Sequence, residues 1–578
     1  MASPRSFPTP DVFRRRLGSL ADPLVILGVL GLVYVLARLI SGVTAPFSPA
    51  NPPTISLDPR NLPYYAARSL LRMFIALFAS TLFSLIYATA AARSRRAERV
   101  LIPLLDVLQS VPILGFLSIT VAGFIALFPG SLLGLECASI FAIFTSQAWN
   151  MTFSYYHSLL TQPRDQVELA QLYRLSGWQR FTNVDLPNGM IGLVWNGMMS
   201  FGGGWFFLVA SEAISVLNKT YTLPGIGSYL AAAVAAQDIR RMLLALLTMI
   251  VVIVGVDRLF WRPLVAWAEK FKNEESVSGD HVQSGVLDVL RRAHVVAAVG
   301  RGLAPVGEGL DHLLLPIGGP RVAEHVHPTR TRAVDVVFYG ILGLALATVV
   351  VWGGAYVLRT IGLREVGTAL YLGLLTFLRV IALLIVAAVI WTPVGVWIGF
   401  NPRVSRVAQP IVQILASFPA NFLFPFVTLF FIRSGISLDY GAPLLMALGA
   451  QWYLLFNSIA GAMAIPNDLK EAARNFGVRR WTLWRTLILP GIFPAWVTGA
   501  ITASGGAWNA SIVAEVVSWG HTTLHASGLG AYITDATATG NWPRIALGIS
   551  VMVLYVVGLN RLVWRRLYRL AETRFTLD

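Results

Sequence analysis

Along the whole chain, long apolar runs alternate with short polar segments rich in Arg or in Gly and Pro. The runs fall at 23–44, 66–92, 100–128, 132–156, 188–215 and 239–262, then at 334–358, 369–400, 407–432, 441–464, 491–518 and 541–564. A helix of roughly 20 such residues crosses the hydrocarbon layer of a bilayer. The pattern therefore predicts an all-α polytopic membrane protein with twelve helices, six in each half. Residues 1–22 precede the first run as an N-terminal arm. Residues 270–332, polar and rich in Gly and Pro, separate a first domain at 23–269 from a second at 333–578.

The two halves are copies. Glu168 and Pro187 each lie 303 positions before Glu471 and Pro490 (471 − 168 and 490 − 187), and the same offset links many identities. Trp178 matches Trp481, Gly202 and Gly203 match Gly505 and Gly506, Trp205 matches Trp508, and Glu212 matches Glu515. An internal repeat on this scale is a tandem duplication. Six spans per copy bring equivalent loops out on the same face, so the repeats are parallel, related by an axis along the membrane normal.

Composition agrees with the pattern: of 578 residues, 56% are hydrophobic and only 13% charged. The net charge of +16 comes from Arg clusters that flank the apolar runs. That placement orients helices and does not make the basic stripe of a nucleic-acid binder. Arg14 to Arg16, the cluster from Arg93 to Arg99, and the loops bearing Arg174, Arg180, Arg479 and Arg485 all fall on one side, which the positive-inside bias makes the cytoplasm. The N-terminus is then cytoplasmic. A single Cys137 excludes a disulfide framework and a cysteine metal site. His325 and His327 beside Glu324 lack further ligand spacing, so no metal site is expected.

Two polar islands, at 163–187 and 466–490, interrupt the apolar pattern. In the second, Pro466 opens a short helix with Asp468 and Glu471 near its start, and Gly477 ends it before another turn of helix begins. In the first, Leu169 and Arg174 stand where the second has Ala472 and Gly477, and Gly177 is expected to take over the turn. Within the spans, Gly202-Gly203-Gly204-Trp205 and Gly505-Gly506-Ala507-Trp508-Asn509 permit close backbone approach or a break in the helix, as a passage between moving helices requires. Glu212 and Glu515 stand near the outer ends of the same spans, either as a gate or as structural hydrogen-bonding groups. Ser110 and Ser417 precede Val111-Pro112 and Phe418-Pro419, where Pro would break a span. Asn150 and Asn457 follow at equal spacing from those prolines, as passage lining or as interhelical glue.

The second island resembles the Glu-Ala-Ala loop of ABC-importer permeases, supplied here by Glu471, Ala472, Ala473, Gly477 and the Ile488-Leu489-Pro490 ending. The whole chain, linker and arm excepted, resembles two fused type I permease domains. Arg174-Leu-Ser-Gly-Trp and Leu223-Pro-Gly-Ile-Gly look most similar to the nitrate, taurine and sulfonate branch. The resemblance implies a bacterial inner-membrane permease that meets two ABC ATPase subunits and an extracytoplasmic solute-binding protein. It makes Glu168, Ala170, Gly177, Pro187, Glu471, Ala472, Ala473, Gly477 and Pro490 the coupling residues. The chain itself carries no phosphate-binding loop, since none of its four lysines, Lys219, Lys270, Lys272 and Lys470, follows the required Gly pattern. No cofactor is then expected in this chain, and ATP and magnesium belong to the partners. A secondary transporter and a non-transporting membrane scaffold are the alternative classes.

Overall fold

The structure is a computed structural model and describes residues 11–43, 45–47, 53–216, 219–271, 284–295, 298, 299, 301, 302, 305, 309, 311 and 328–574. Among them, nine helices are long and apolar enough to cross a membrane. They are Ala21–Ile40, Pro59–Arg93, Gly177–Glu212, Ile239–Phe271, Tyr339–Ile361, Leu363–Phe400, Leu438–Ala464, Arg480–Ala514 and Trp542–Ala571. A tenth expected span is the continuous but more polar helix Leu133–Leu160. The last two are not continuous. The run at 100–128 divides into Arg95–Ser110 and Ile113–Leu127, and that at 407–432 into Pro402–Ser417 and Phe424–Ser434. Val111 and Phe418 are extended, at ψ 121° and 128°, because a following Pro disfavours helical backbone.

The duplication extends to single turns of backbone. Short helices Arg164–Leu172 and Asn467–Asn475, π-helical turns Phe181–Asp185 and Trp484–Ile488, and glycine-rich helices Leu186–Glu212 and Leu489–Ala514 all start 303 residues apart. So do two hairpins, β1 (Ala213–Val216) with β2 (Lys219–Thr222) and β3 (Val516–Trp519) with β4 (Thr522–His525), each antiparallel. Short helices Ile226–Ala235 and Leu529–Thr539 follow at the same interval. Upstream the offset is 307, as for Pro112 and Pro419. Eight residues separate Leu127 from Glu136 (136 − 127 − 1), whereas four separate Ser434 from Asp439 (439 − 434 − 1).

The halves exchange parts of their cores. Ile113, Leu114, Leu117 and Val121, just past the first Pro break, are buried with Trp508, Ile512 and Val551 of the second half. Phe422, just past the second break, is buried with Phe201 and Trp205 of the first. In a bilayer the alternative to such contacts is lipid as apolar as the side chains, so these short helices tie the halves together by close van der Waals packing.

At the far ends of the glycine-rich helices sit two buried ionic networks. Glu212 accepts hydrogen bonds from Ser69 Oγ at 2.5 Å, Arg72 Nη1 at 2.7 Å and the Gly227 amide at 2.6 Å. Arg72 also binds Glu136, at 2.5 and 2.7 Å, and Arg68 shares that carboxylate while reaching the Leu39 carbonyl at 3.2 Å. In the second half Glu515 accepts from Thr376 Oγ1 at 2.8 Å, Arg379 Nη1 at 2.9 Å and the Gly530 amide at 2.7 Å. Arg379 continues to Asp439 at 2.8 Å. A Cβ on Gly225 or Gly528 would collide with the Glu212 or Glu515 carboxylate, so glycine there lets the loop close onto the ion pair. Beyond this, the β3–β4 tip reaches across the halves, with the Gly520 amide 3.3 Å from the Val234 carbonyl.

In the linker a helix runs Gly285–Arg292, capped by Ser284, and stops at extended Ala293. Asp22 of the first span accepts from the Val295 amide at 3.0 Å and pairs with His294 at 3.2 Å. His325 and His327 lie outside the described residues.

Candidate functional site

Two regions carry the expected functional residues: the seam between the halves within the spans, and the pair of short helices that project from them.

The seam forms where each Pro break meets the glycine-rich helix of the other half. Past Pro112 the Ile113 amide has no partner in its own helix, and Asn509 Oδ1 accepts from it at 2.8 Å. At the pseudo-equivalent place Asn421 Nδ2 donates to the Phe206 carbonyl at 3.1 Å. Phe206 and Asn509 are themselves 303 apart, so the seam is built twice from one plan. Ser417 packs onto Gly202, where any Cβ would meet its side chain. Gly203 and Gly506 approach Tyr453, whose hydroxyl and ring lie 3.3 and 3.5 Å from where their Cβ atoms would be. Backbone is therefore bare on both sides of the seam, as helices that move past one another need. Ser110 ends its helix here, but its side chain lies outside the described residues.

Other expected passage residues stand elsewhere. Trp205 and Trp508 are fully buried in cores to which both halves contribute, Trp205 edge-on to Phe201 and Trp508 against Phe377 and Tyr555. Glu212 and Glu515 are fully buried in the ionic networks, each accepting hydrogen bonds from a hydroxyl, a guanidinium and a backbone amide. Asn150 and Asn457 are not counterparts, because the longer loop before Glu136 shifts the register by a helical turn. Asn457 bonds the Tyr453 carbonyl at 2.8 Å and packs on Gly499, as Ser154 meets Asn196 at 2.9 Å in the first half. The counterpart of exposed Asn150 is Tyr453 (453 − 303). Arg68, Arg72 and Arg379 were legible as costly charges inside spans that demand partners, and only the fold shows which carboxylates answer them.

Both projecting helices end in one kind of turn. The Val478 amide bonds the Ala473 carbonyl at 2.9 Å and the Gly477 amide bonds Arg474 at 3.1 Å. Leu175 to Ala170 and Arg174 to Gln171, both 3.0 Å, repeat the pair. This double bond is the Schellman closure, which places its pivotal residue in the left-handed region. Gly477 has φ +66° and Arg174 φ +49°. The pivot of the first loop is thus Arg174, and Gly177 does not replace it. Gly177 instead opens the next turn, which Ser176 and Gln179 cap reciprocally. Pro187 and Pro490 lie inside the continuous helices Gly177–Glu212 and Arg480–Ala514, each just after a π-helical turn, the kind of irregularity that goes with a proline in a helix interior.

Glu168 and Glu471 are exposed, Ala170 is buried, and Ala472 and Ala473 are half-buried. Tyr173 and Phe476, at equivalent positions, are 73% and 84% exposed, beside exposed Leu172 and Leu469. An apolar surface of this kind, repeated on two projecting helices, suits a protein groove. Beneath the first loop, buried Asp185 binds Arg93 at 2.6 Å and Gln162 at 2.9 Å. Beneath the second, Ile465 and Ile488 fill the positions of Gln162 and Asp185 and pack with Val396 and Phe400. Lys470 lies over the Phe400 ring at 5.0 Å, and burial there pulls its amine below the ordinary lysine value. A cavity of about 430 Å³ opens beside the first loop, lined by Gln166, Tyr173, Asn183 and Lys270 among others.

Residues 72–260 and 391–575 each match the family model described as the binding-protein-dependent transport system inner membrane component. Individual relatives align with about a third of the chain. A putative ABC transporter permease of Methanocaldococcus jannaschii is 24% identical over 214 residues, covering 37% of this chain and 75% of that protein. A nitrate import permease of Leptolyngbya laminosa is 28% identical over 179 residues, 31% of this chain and 61% of the relative. A bicarbonate transport system permease of Synechococcus elongatus is 28% identical over 174 residues, 30% and 59%. The chain thus spans about three-fifths of the length of the last two.

Proposed function

The chain belongs to the binding-protein-dependent transport system inner membrane component family, with two copies of its domain in one multi-pass membrane polypeptide, and on that footing we propose that it is the complete passage-forming part of an ATP-driven importer. The two halves take the place of two permease subunits, and the seam between their glycine-rich helices is the solute route. Two ABC ATPase subunits, carrying ATP and magnesium, seat on the helices Arg164–Leu172 and Asn467–Asn475. An extracytoplasmic solute-binding protein meets the hairpin face opposite. The solute is a small anion or a small polar molecule, in keeping with relatives named for nitrate and bicarbonate. The N-terminus, the linker and both projecting loops lie on the cytoplasmic side of a bacterial inner membrane.

The observation that carries this reading is the pair of equivalent, outward-turned helices, each with an exposed aromatic within its Schellman turn and an exposed Glu at its middle. A scaffold or an ion-coupled transporter has no need of two matched apolar projections.

The test is uptake and ATP turnover in the complex reassembled from chain, ATPase and binding protein. Glu471→Ala and Gly477→Pro are expected to uncouple hydrolysis from uptake, the first by removing a charged hydrogen-bonding group and the second by breaking the turn. Their effect is expected to exceed that of Glu168→Ala, whose loop carries Leu169 and Arg174 in place of small residues. Wild-type coupling in all three variants would remove the assignment of the loops, and ATP turnover by the pure chain would remove the class.

A further inference from the structure

We propose that Tyr453 is the plug of the solute route, a single side chain that closes the seam from one half only. This rests on the seam being that route. Tyr453 stands on the second-half helix Leu438–Ala464, its ring against Gly506 of its own half and its hydroxyl at Gly203 of the other. It therefore bridges the two glycine-rich helices at the height where both lack side chains.

Three further observations separate a plug from a core tyrosine. A tyrosine buried for packing ordinarily finds a partner for its hydroxyl, as Tyr229 does in the Leu57 carbonyl at 3.1 Å; the Tyr453 hydroxyl makes no hydrogen bond among the described residues, and unlike Tyr155, whose hydroxyl is likewise unpartnered but lies inside one half, it stands between the two halves. Its backbone is held tightly: the Tyr453 carbonyl takes the Asn457 amide at 2.8 Å, and Gly499 brings the neighbouring helix within 2.9 Å of that oxygen, measured from a would-be Cβ. A fixed backbone with an uncommitted side chain can turn at its rotamer without unsettling the bundle. Finally, its counterpart Asn150 is too short to reach across and is exposed. The seal is thus asymmetric although the fold is duplicated, and one rotamer change opens it.

The full chain in proteoliposomes tests this without ATP or partners. Nitrate entry is followed by stopped-flow light scattering after a potassium nitrate shock, with valinomycin supplying the counter-ion. Wild type and Tyr453→Phe, which keeps the ring, are expected to be as tight as empty vesicles. Tyr453→Ala is expected to raise nitrate entry by about tenfold or more, as removal of an occluding side chain does in a narrow pore. Should the alanine variant lose its monodisperse elution, Tyr453→Cys answers the same question: it leaks, and a benzyl methanethiosulfonate that rebuilds an aromatic ring on the thiol reseals it in the same sample. A well-folded alanine or cysteine variant as tight as wild type overturns the plug, as does a leak that the benzyl group leaves unchanged. Since the assay needs no ATPase, a failed plug with intact coupling through Glu471 leaves the permease reading standing. A leak with no coupling leaves the plug standing and removes the ATPase assignment.

Discussion

Arg174 and Gly477 hold one backbone shape with different side chains, and the difference has a measurable consequence. A residue with a Cβ in the left-handed region costs roughly 1–2 kcal/mol relative to glycine. At this pivot the first loop carries that strain in Arg174 and the second avoids it with Gly477, although the second holds Arg480, three residues on, at φ +51°. Arg174→Gly is expected to strengthen the first turn, and Gly477→Ala to weaken the second by about 1 kcal/mol. Hydrogen exchange at the Leu175 and Val478 amides, which donate the long bond of each turn, reports the change: protection is expected to rise about fivefold in the first variant and fall about fivefold in the second. Equal protection in wild type and variants would show that the turns are not limited by this strain. The sequence could not place this pivot at Arg174, because a glycine three residues away offered an easier one. Only the matching 5→2 and 6→1 bonds decide between them.

Among the elements, the broken helices after Ser110 and Ser417 show what hydrophobic pattern conveys and what it omits. Apolar runs found every span, since each long helix begins or ends within several residues of a run. The prolines mark the breaks at Val111-Pro112 and Phe418-Pro419, but no local pattern reveals that the broken spans lend their outer halves to the other domain's core. A freed amide follows from such a bend, and its answer, Asn509, lies 396 residues from Ile113. Pairing across that separation is invisible to local pattern. Asn509→Leu orphans the buried amide and is expected to cost about 1–3 kcal/mol, read as a lowered thermal midpoint of the purified chain in detergent. Asn509→Asp, which keeps the acceptor, is expected to retain more of the stability; equal losses would detach the cost from this bond. Orientation is tested at the same scale. A reporter fused near Gly302 is expected in the cytoplasm and one inserted near Asn218, which lies outside the described residues, on the far side. The same side for both would remove the six-plus-six arrangement. The four-residue difference ahead of Asp439 is likewise invisible to local pattern, and it is why equal spacing from proline pairs Asn150 with Asn457 whereas helix packing pairs it with Tyr453.

For the molecule as a whole, duplication fixes geometry while leaving chemistry free, and the supports under the two projecting loops make this testable. Under one, Arg93, Gln162 and Asp185 form a hydrogen-bonded cluster around a buried carboxylate; under the other, Phe400, Ile465 and Ile488 fill the same space with hydrocarbon. A similar exchange occurs where each last span meets the other half's broken helix. Asp257 binds Arg262 beside Gln413 in one place, whereas in the other Asn560 stands in the aspartate's position and Asp106, from across the seam, faces Arg565 and Arg561. Breaking a buried ion pair from one side costs about 3–5 kcal/mol, yet replacing all its members by well-packed apolar groups is often neutral. Asp185→Ile alone strands Arg93 and Gln162 and is expected to lower stability by about 3 kcal/mol, toward the low end because Arg93 is partly exposed. Arg180 Nε also reaches Asp185, at 3.4 Å, and Leu483 holds its place in the second half; the quadruple variant Arg93→Phe, Gln162→Ile, Arg180→Leu, Asp185→Ile therefore copies the second half and is expected to recover most of that loss, a strong non-additivity of the kind that contacting residues show. Thermal midpoints of the single and quadruple variants decide it. Additive losses would mean that the backbone beneath the loops has diverged along with the side chains. Recovery would mean that the second half's hydrocarbon support is a working solution for the first, so that the polar cluster is one of two interchangeable ways of seating the same loop.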